Sequence, residues 1–252
     1  MGRKYFAWSF DDGLEQDKRI IEVLKQYGFG ATFHLNSGLF GDRTYEGRIG
    51  NLGFTEKPAA SFNPAARHLV PYAEHFRIPE DEICQVYEGF EIAAHGRMHV
   101  NLARCSDEVR VSEICDDVIA LSELIGRPVE GFAYPYGVGA KKCREVLEKL
   151  DVCYARSIKS NAGFRFPDDP LDMPMSCWHV SPKAFDRLGS FFAADPADDD
   201  LFFLMFAHGY EFDFNTTESN WDKFRRICEA VAEHDDVTCC SIGEAFRLHG
   251  GR

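Results

Sequence analysis

Residues 5–13 read Tyr5-Phe6-Ala7-Trp8-Ser9-Phe10-Asp11-Asp12-Gly13, an apolar and aromatic run broken only by Ser9 that stops on two adjacent carboxylates and a glycine. Such a run, too short for a helix and without polar alternation, describes a buried strand. The pattern recurs along the chain, at about 31–35, 90–94, 130–134, 152–156, 201–207 and 237–241. Helical periodicity fills the gaps, most plainly at 14–27, at 107–125 (Ile114, Val118, Leu121, Ile125) and at 219–234 (Trp221, Phe224, Cys228, Val231). Gly28 and Gly126 stand where helix C-terminal caps belong. Strands alternating with helices predict an α/β fold built on a parallel sheet.

One region breaks the alternation. From Asn36 to about Pro79 the chain carries Gly, Asn, Pro and Arg without steady period, too long for an ordinary connection. It is expected to be an irregular excursion beside the mouth of a site, followed by a helix at 80–88. A shorter irregular stretch covers about 159–180. Neither has the composition of a linker, and no internal repeat or low-complexity tract is present, so residues 1–252 are expected to form a single domain.

The 252 residues carry 28 Lys and Arg against 41 Asp and Glu, a net charge of −13. A surface this acidic repels phosphate backbones and anionic lipid, and no Lys/Arg-rich run offsets it; neither a nucleic-acid nor a membrane partner is expected. The longest clean apolar run, Leu201 to Ala207, is far short of the ~20 residues that span a bilayer. No secretion signal is visible before Asp11 and Asp12. The nine cysteines are scattered, mostly within apolar segments, with no Cys-x-x-Cys, which argues against a disulfide scaffold or zinc knuckle. Together these features point to a reducing, cytoplasmic setting.

The chemistry gathers at strand ends. Residues 5–10 run into Asp11-Asp12-Gly13, 90–94 into His95, 131–134 into Pro135-Tyr136-Gly137, and 201–207 into His208-Gly209. In a parallel barrel all C-terminal strand ends lie on one face, so these distant residues converge. Asp11-Asp12-Gly13 reads equally as a turn. Two adjacent buried carboxylates disfavour double ionisation, however, unless a cation sits nearby; consecutive strand side chains diverge, so one could ligate a metal and the other hold a proton. His95-Gly96-Arg97-Met98-His99 puts two imidazoles one helical turn apart, although His-x-x-x-His also arises by chance and lacks the Glu of the zinc-protease pattern. Of the remaining histidines, 34, 68, 75, 179, 234 and 249 are taken as structural or solvated, His179 with least assurance.

Ser9-Phe10-Asp11-Asp12-Gly13, His95-x-x-x-His99, Tyr134-Pro135-Tyr136-Gly137 and Ala207-His208-Gly209-Tyr210, in this order, resemble the polysaccharide deacetylases with a NodB-type domain, carbohydrate esterase family 4. The resemblance implies a distorted (β/α) barrel and a divalent metal, zinc first with Co2+, Ni2+, Mn2+ or Fe2+ as alternatives. By position its ligands are Asp12, His95 and His99, with Asp11 as general base and His208 as general acid. Pro135, Tyr136, Trp178 and Tyr210 are candidate substrate contacts, Trp178 and Tyr210 being as readily core residues. The implied substrate is an acetylated carbohydrate.

Two departures stand out. The Arg that opens the family's third motif and pairs with the catalytic Asp is here Ala133, leaving Arg97 or Arg156 to take its place. The fourth motif, an Asp and Trp supporting the acid, has only Asp172 and Trp178 as nearby candidates. Competing readings are a catalytically inactive sugar-binding module, motivated by Ala133, and a hydrolase of a small non-sugar amide or ureide. A non-haem iron oxygenase shares the ligand set but is typically β-rich.

Overall fold

The structure, a computed structural model, describes residues 2–48, 54–58, 72–161, 163–197 and 199–250. In chain order its elements are β1 (Lys4–Asp11), α1 (Gln16–Tyr27), β2 (Ala31–Leu35), β3 (Arg43–Arg48), β4 (Phe54–Pro58), β5 (Tyr72–Phe76), α2 (Ile83–Val86), β6 (Glu91–Ala94), α3 (Asp107–Ile125), β7 (Gly131–Ala133), α4 (Ala140–Lys149), β8 (Tyr154–Ser160), β9 (Met173–Met175), β10 (Cys177–Trp178), α5 (Ala184–Ala193), β11 (Leu201–His208), α6 (Trp221–Ala232), β12 (Val237–Cys239) and α7 (Ile242–Gly250).

The main sheet runs β10-β11-β1-β2-β6-β7-β8-β9, with every pairing parallel. β1 lies at its centre. β11 pairs with it from Lys4 to Asp11, while its other edge is shared by β12 over Lys4–Phe6 and β2 over Trp8–Asp11. The stretch from Met173 to Trp178 pairs first with β8 and then with β11, drawing the two ends of the sheet into the nearly closed (β/α) barrel expected from the sequence. Both strands fall in the stretch expected to be irregular. They are too short for periodicity to reveal them.

Alternation along β1 sorts its side chains into two layers. Phe6, Trp8 and Phe10 face the helices, where Trp8 stacks on Phe10 (centroids 5.3 Å apart), Phe10 on Phe33 (5.2 Å), and Phe224 of α6 meets Trp8 edge-on (5.2 Å). Tyr5 and Ala7 join Tyr154, Met173, Phe202 and Leu204 in a second cluster inside the barrel. Ser9 and Asp11 continue that inward row. His208, two steps beyond Phe206 on β11, is the register partner of Asp11. The parity of β1 and β11 therefore aims an acid and an imidazole into the same mouth.

Helix ends follow local chemistry. Ser106 caps α3, accepting from the Val109 N–H at 3.3 Å, and Gly28 and Gly126 close α1 and α3 in left-handed conformation. The expected helix at 80–88 is a 3₁₀ turn at Glu80–Glu82 continued by the single turn of α2. The excursion after β2 carries a three-stranded antiparallel sheet, β4-β3-β5, where no regular structure was expected; residues 49–53 and 59–71 of it lie outside the described residues. No helix among the described residues is long and apolar enough to cross a membrane.

Phe33 is fully buried between Phe10, Tyr87 and Phe90. Phe33→Ala is expected to lower the unfolding free energy by about 3–5 kcal/mol in urea titration, the range for losing a buried aromatic ring.

Candidate active site

The C-terminal ends of β1, β6, β7, β8 and β11 open into a cavity of about 730 Å³. Asp11 ends β1. Asp12 follows with φ at 80°, a left-handed conformation that aspartate tolerates better than most residues. This turn overrides the expected divergence of neighbouring side chains. Both carboxylates face the cavity, and His95 Nε2 lies 3.4 Å from Asp11 Oδ2 and 3.9 Å from Asp12 Oδ1.

Asp11 is nearly buried and held by Arg156, whose Nη2 lies 2.5 Å from each of its oxygens. Burial alone would raise its pKa; the Arg156 guanidinium, with His95 and His34 beside it, overrides burial and keeps the carboxyl well below the usual range. Arg156 stands on β8 in register with Ala133 on β7, the position where the resembled family carries its Arg. Of the two arginines proposed from the sequence, Arg156 is the one that reaches Asp11; Arg97 is exposed on the turn before His99.

His95 and His99 do not sit on a helical turn. β6 ends at Ala94, and a non-helical turn with Gly96 at φ 76° and His99 at φ 54° brings the two rings to 4.8 Å. The turn is braced from behind. Asn36 Nδ2 donates to the carbonyls of His95 (2.8 Å) and Gly96 (2.7 Å), Asp117 of α3 accepts from the His95 N–H (2.9 Å), and Glu113 accepts from the Met98 N–H (2.9 Å). His95 Nδ1 lies 2.8 Å from the carbonyl of Ala133, so it donates there and leaves Nε2 as a lone pair facing the carboxylates. Burial pushes His95 down to about 3 and lowers His99, keeping both imidazoles neutral at pH 7.

Ligand atoms of Asp12, His95 and His99 all lie within 4.8 Å of one another. Asp12 Oδ1 is buried without a hydrogen-bond partner, 3.8 Å from His99 Nε2. An orphaned carboxylate oxygen between two neutral imidazoles fits a divalent cation, whose ligands at ~2.0–2.2 Å stand a little closer together than these. Asp12 is held ionised: burial opposes this, and the hydrogen bond from His75 with the charge of Arg77 nearby overcomes it.

His75 corrects an expectation. Taken from the sequence as structural or solvated, it is buried at the site, with Nε2 3.1 Å from Asp12 Oδ2. Nothing in its local sequence separates it from the other histidines, because the contact depends on how the excursion folds back. His34 is also buried here, 3.4 Å from Asp11. His179 packs away from the cavity against Ser219 (2.8 Å), and His234 and His249 stack on Phe192 and Phe166. His68 lies outside the described residues.

His208 has a partner that the sequence reading missed. Glu211, buried one turn on, accepts from the His208 N–H (2.9 Å) and from Trp178 Nε1 (3.1 Å), and its Oε2 lies 3.3 Å from His208 Nδ1. Burial would lower the pKa of His208, but Glu211 first, then Asp12 and Asp11, push it up to about 9. Asp172, the other fourth-motif candidate, pairs instead with Lys159. The His-x-x-Glu spacing at the start of a helical turn was the available signal for Glu211.

The candidate substrate contacts separate. Tyr136 (φ 59°, 58% exposed) stands on the rim with its ring 4.8 Å from His99; Trp178 and Tyr210 line the wall. Pro135 is buried against Gly96 and does not line the cavity; Tyr134 does.

The family model described as polysaccharide deacetylase matches residues 1–155. Among solved structures the chain is similar to a protein from Mycobacterium smegmatis provisionally assigned as a polysaccharide deacetylase (TM-score 0.60, 14% identity, covering 100% of this chain and 92% of that one). It is also similar to the peptidoglycan deacetylase PdaC from Bacillus subtilis (TM-score 0.52, 16% identity, 99% and 93%) and to a family 4 carbohydrate esterase from Streptomyces lividans in complex with acetate (TM-score 0.53, 14% identity, 94% and 91%). Comparison with curated protein sequences gave no significant match.

Because Glu211 is the largest influence raising His208, Glu211→Gln is expected to move the His208 titration, followed by NMR on metal-free protein, down from about 9 toward neutrality. An unchanged titration would assign the upward shift to Asp11 and Asp12.

Proposed function

The chain belongs to the polysaccharide deacetylase family, and from that premise we propose that it is a metal-dependent hydrolase removing an acyl group, N-acetyl or O-acetyl, from a carbohydrate-like substrate. The observation that carries this reading is the orphaned Asp12 oxygen flanked by His95 and His99, next to an Asp11 held ionised by Arg156. A divalent ion on Asp12, His95 and His99, zinc or one of Co2+, Ni2+, Mn2+ and Fe2+, would polarise the acyl carbonyl and lower the pKa of a water.

The protein's own groups account for the proton movements. Asp11 takes a proton from water as its oxygen adds to the acyl carbon. Arg156 fixes the orientation of that carboxylate and keeps it ionised. His208, kept protonated by Glu211, gives a proton to the leaving amine or alkoxide as the C–N or C–O bond breaks, and acetate leaves with the added oxygen. We assign to a backbone N–H of the turn at Tyr136 the role of donor to the developing oxyanion, an interaction worth about 3–4 kcal/mol in other hydrolases.

Ala133 had motivated the reading of a module without turnover. With a guanidinium already against Asp11, that motive disappears. The small-amide reading keeps some support, since a cavity of about 730 Å³ walled partly by the excursion suits one or two sugar rings or a small amide better than an extended chain.

Metal analysis of the purified protein, with acetate release from N-acetylglucosamine oligomers, acetylated xylan and a panel of small amides, tests the reading. Asp12→Ala and His99→Ala are expected to lose the ion. Asp11→Asn should keep it while kcat falls by about 10²–10⁴, the range for removing a general base. Full ion content in both ligand variants would refute the ligand assignment. Arg156→Met should move the acidic limb of the kcat/KM profile to higher pH, since without that cation burial raises the Asp11 pKa; a limb that stays in place would separate Arg156 from the base.

A further inference from the structure

Among the described residues, Arg77 is a buried cation in the cavity wall that takes no part in the proposed proton movements. The end of the excursion is tied to the turn after β1. Leu14 and Arg77 form an antiparallel bridge, the Ile78 N–H donates to the Gly13 carbonyl (2.9 Å), and the Glu15 N–H donates to the Phe76 carbonyl (2.8 Å). These bonds fix Arg77, the residue after β5, in the cavity wall with its side chain 5% exposed.

Its guanidinium is held but not saturated. Nη1 makes a long contact with His75 Nδ1 (3.5 Å) and stands 3.8 Å from Asp42; Nη2 stands 3.8 Å from Asp12 Oδ1. Both carboxylates are beyond hydrogen-bonding distance. Nε is buried with no hydrogen-bond partner among the described residues. Although Arg156 Nε and Nη1 also lack a hydrogen-bond partner among the described residues, its Nη2 makes short contacts to both oxygens of Asp11, as an arginine placed to neutralise a buried carboxylate does. Arg77 does not. Asp12, moreover, is the anion that a cation between Asp12, His95 and His99 would claim, and His75 Nε2 already reaches its other oxygen at 3.1 Å. With the ion in place the guanidinium is a positive group on the wall of a substrate cavity, short of acceptors among the described residues.

We propose that Arg77, braced by His75, binds a carboxylate carried by the substrate, so that the preferred substrate is an acidic acylated sugar. The inference rests on the acyl-hydrolase reading above and narrows its substrate class. Arginine suits this task because its planar fork matches a carboxylate and its charge is permanent. The anion site would lie on the excursion, a part of the chain that contributes none of the proposed ligands or proton carriers.

The test uses three substrates that share one ring and one N-acetyl group: N-acetylglucosamine, its 6-carboxylate and its 6-phosphate. With metal-loaded wild type, kcat/KM for the carboxylate is expected to exceed that for the neutral sugar by about tenfold or more, the scale of a hydrogen bond to a charged group. Arg77→Gln should bring that ratio to near one, and Arg77→Lys should keep part of it. Calorimetric affinities of the Asp11→Asn protein for the same sugars provide a readout without turnover and should give the same ordering. Equal wild-type values for neutral and carboxylate sugars, in both assays, overturn the proposal even if the variants fail to fold. So does an Arg77→Gln protein in which all substrates fall together with the ratio intact, which would make Arg77 a charge balance for Asp12. A preference for phosphate over carboxylate overturns the carboxylate assignment. Selective binding of the carboxylate without acetate release from any sugar would sink the acyl-hydrolase reading while leaving the anion site standing.

Discussion

Two ionised carboxylates placed side by side and buried at the end of the central strand are the constraint around which the mouth of this barrel is organised. Taking a charge out of water is costly unless a partner accompanies it, and two like charges together compound the cost. The structure answers from several elements at once. Arg156 of β8 grips Asp11, His75 of β5 reaches Asp12, Arg77 stands near it, and His95 of the turn after β6 leaves a lone pair facing the gap. Asp17 on α1 meets the same problem differently. Burial drives its pKa up to about 8, only partly opposed by donors from Tyr87 and the Leu14 N–H, and the nearby charges of Asp12 and Asp11 raise it further. The Asp17 carboxyl is thus pushed toward its neutral form, and no cation among the described residues opposes the shift. Within a few residues of chain, environment alone decides which acids carry charge.

Those parts of the fold that are buried on both faces were legible in the sequence. β1, β2, β6, β7, β11 and the first half of β8 announce themselves as apolar runs because a parallel sheet under helices leaves no wet face to alternate with, while β12 shows only as a short apolar run with Thr238 exposed. The convergence of strand-end residues was legible for the same reason. What escaped notice depends on pairings that leave no local trace. β9 and β10 have three and two residues, below the length at which any period can be read. β3, β4 and β5 form a sheet of their own within the excursion, and their pairing is set by one another rather than by an apolar pattern. His75 reaches the site only because the excursion's end is bonded to Gly13 and Leu14. Glu211 was within reach, since a carboxylate three residues after a histidine at the start of a turn can fold back on its backbone N–H.

The turns at the site also show why period-2 reasoning fails one residue past a strand. Asp11 obeys the alternation of β1; Asp12 does not, because its backbone enters the left-handed region. His99 and Tyr136 share that conformation, so three of the described non-glycine residues with positive φ cluster at the mouth. Each such residue costs on the order of 1 kcal/mol, which the surrounding hydrogen bonds must offset. Asn36, Asp117 and Glu113 supply them beneath the His95–His99 turn. The rigidity of that turn is therefore built into α3 and the end of β2, well before any ligand is considered.

The exchange between Ala133 and Arg156 shows how a motif can be absent from the line of sequence and present in space. Neighbouring parallel strands lie about 4.8 Å apart, and residues in register project their side chains at the same height. A guanidinium moved from the end of β7 to its register partner on β8 travels less than the length of its own side chain. Asp11 can therefore be gripped from either strand, whereas a reading confined to the order of residues sees only a missing arginine. The substitution is neutral to charge at the carboxylate but not to shape. The cavity keeps a cation against Asp11, and at the old position the small Ala133 contributes its carbonyl, which fixes the tautomer of His95. Loss of a motif residue thus becomes evidence of lost chemistry only after the strands beside it have been searched for the same group.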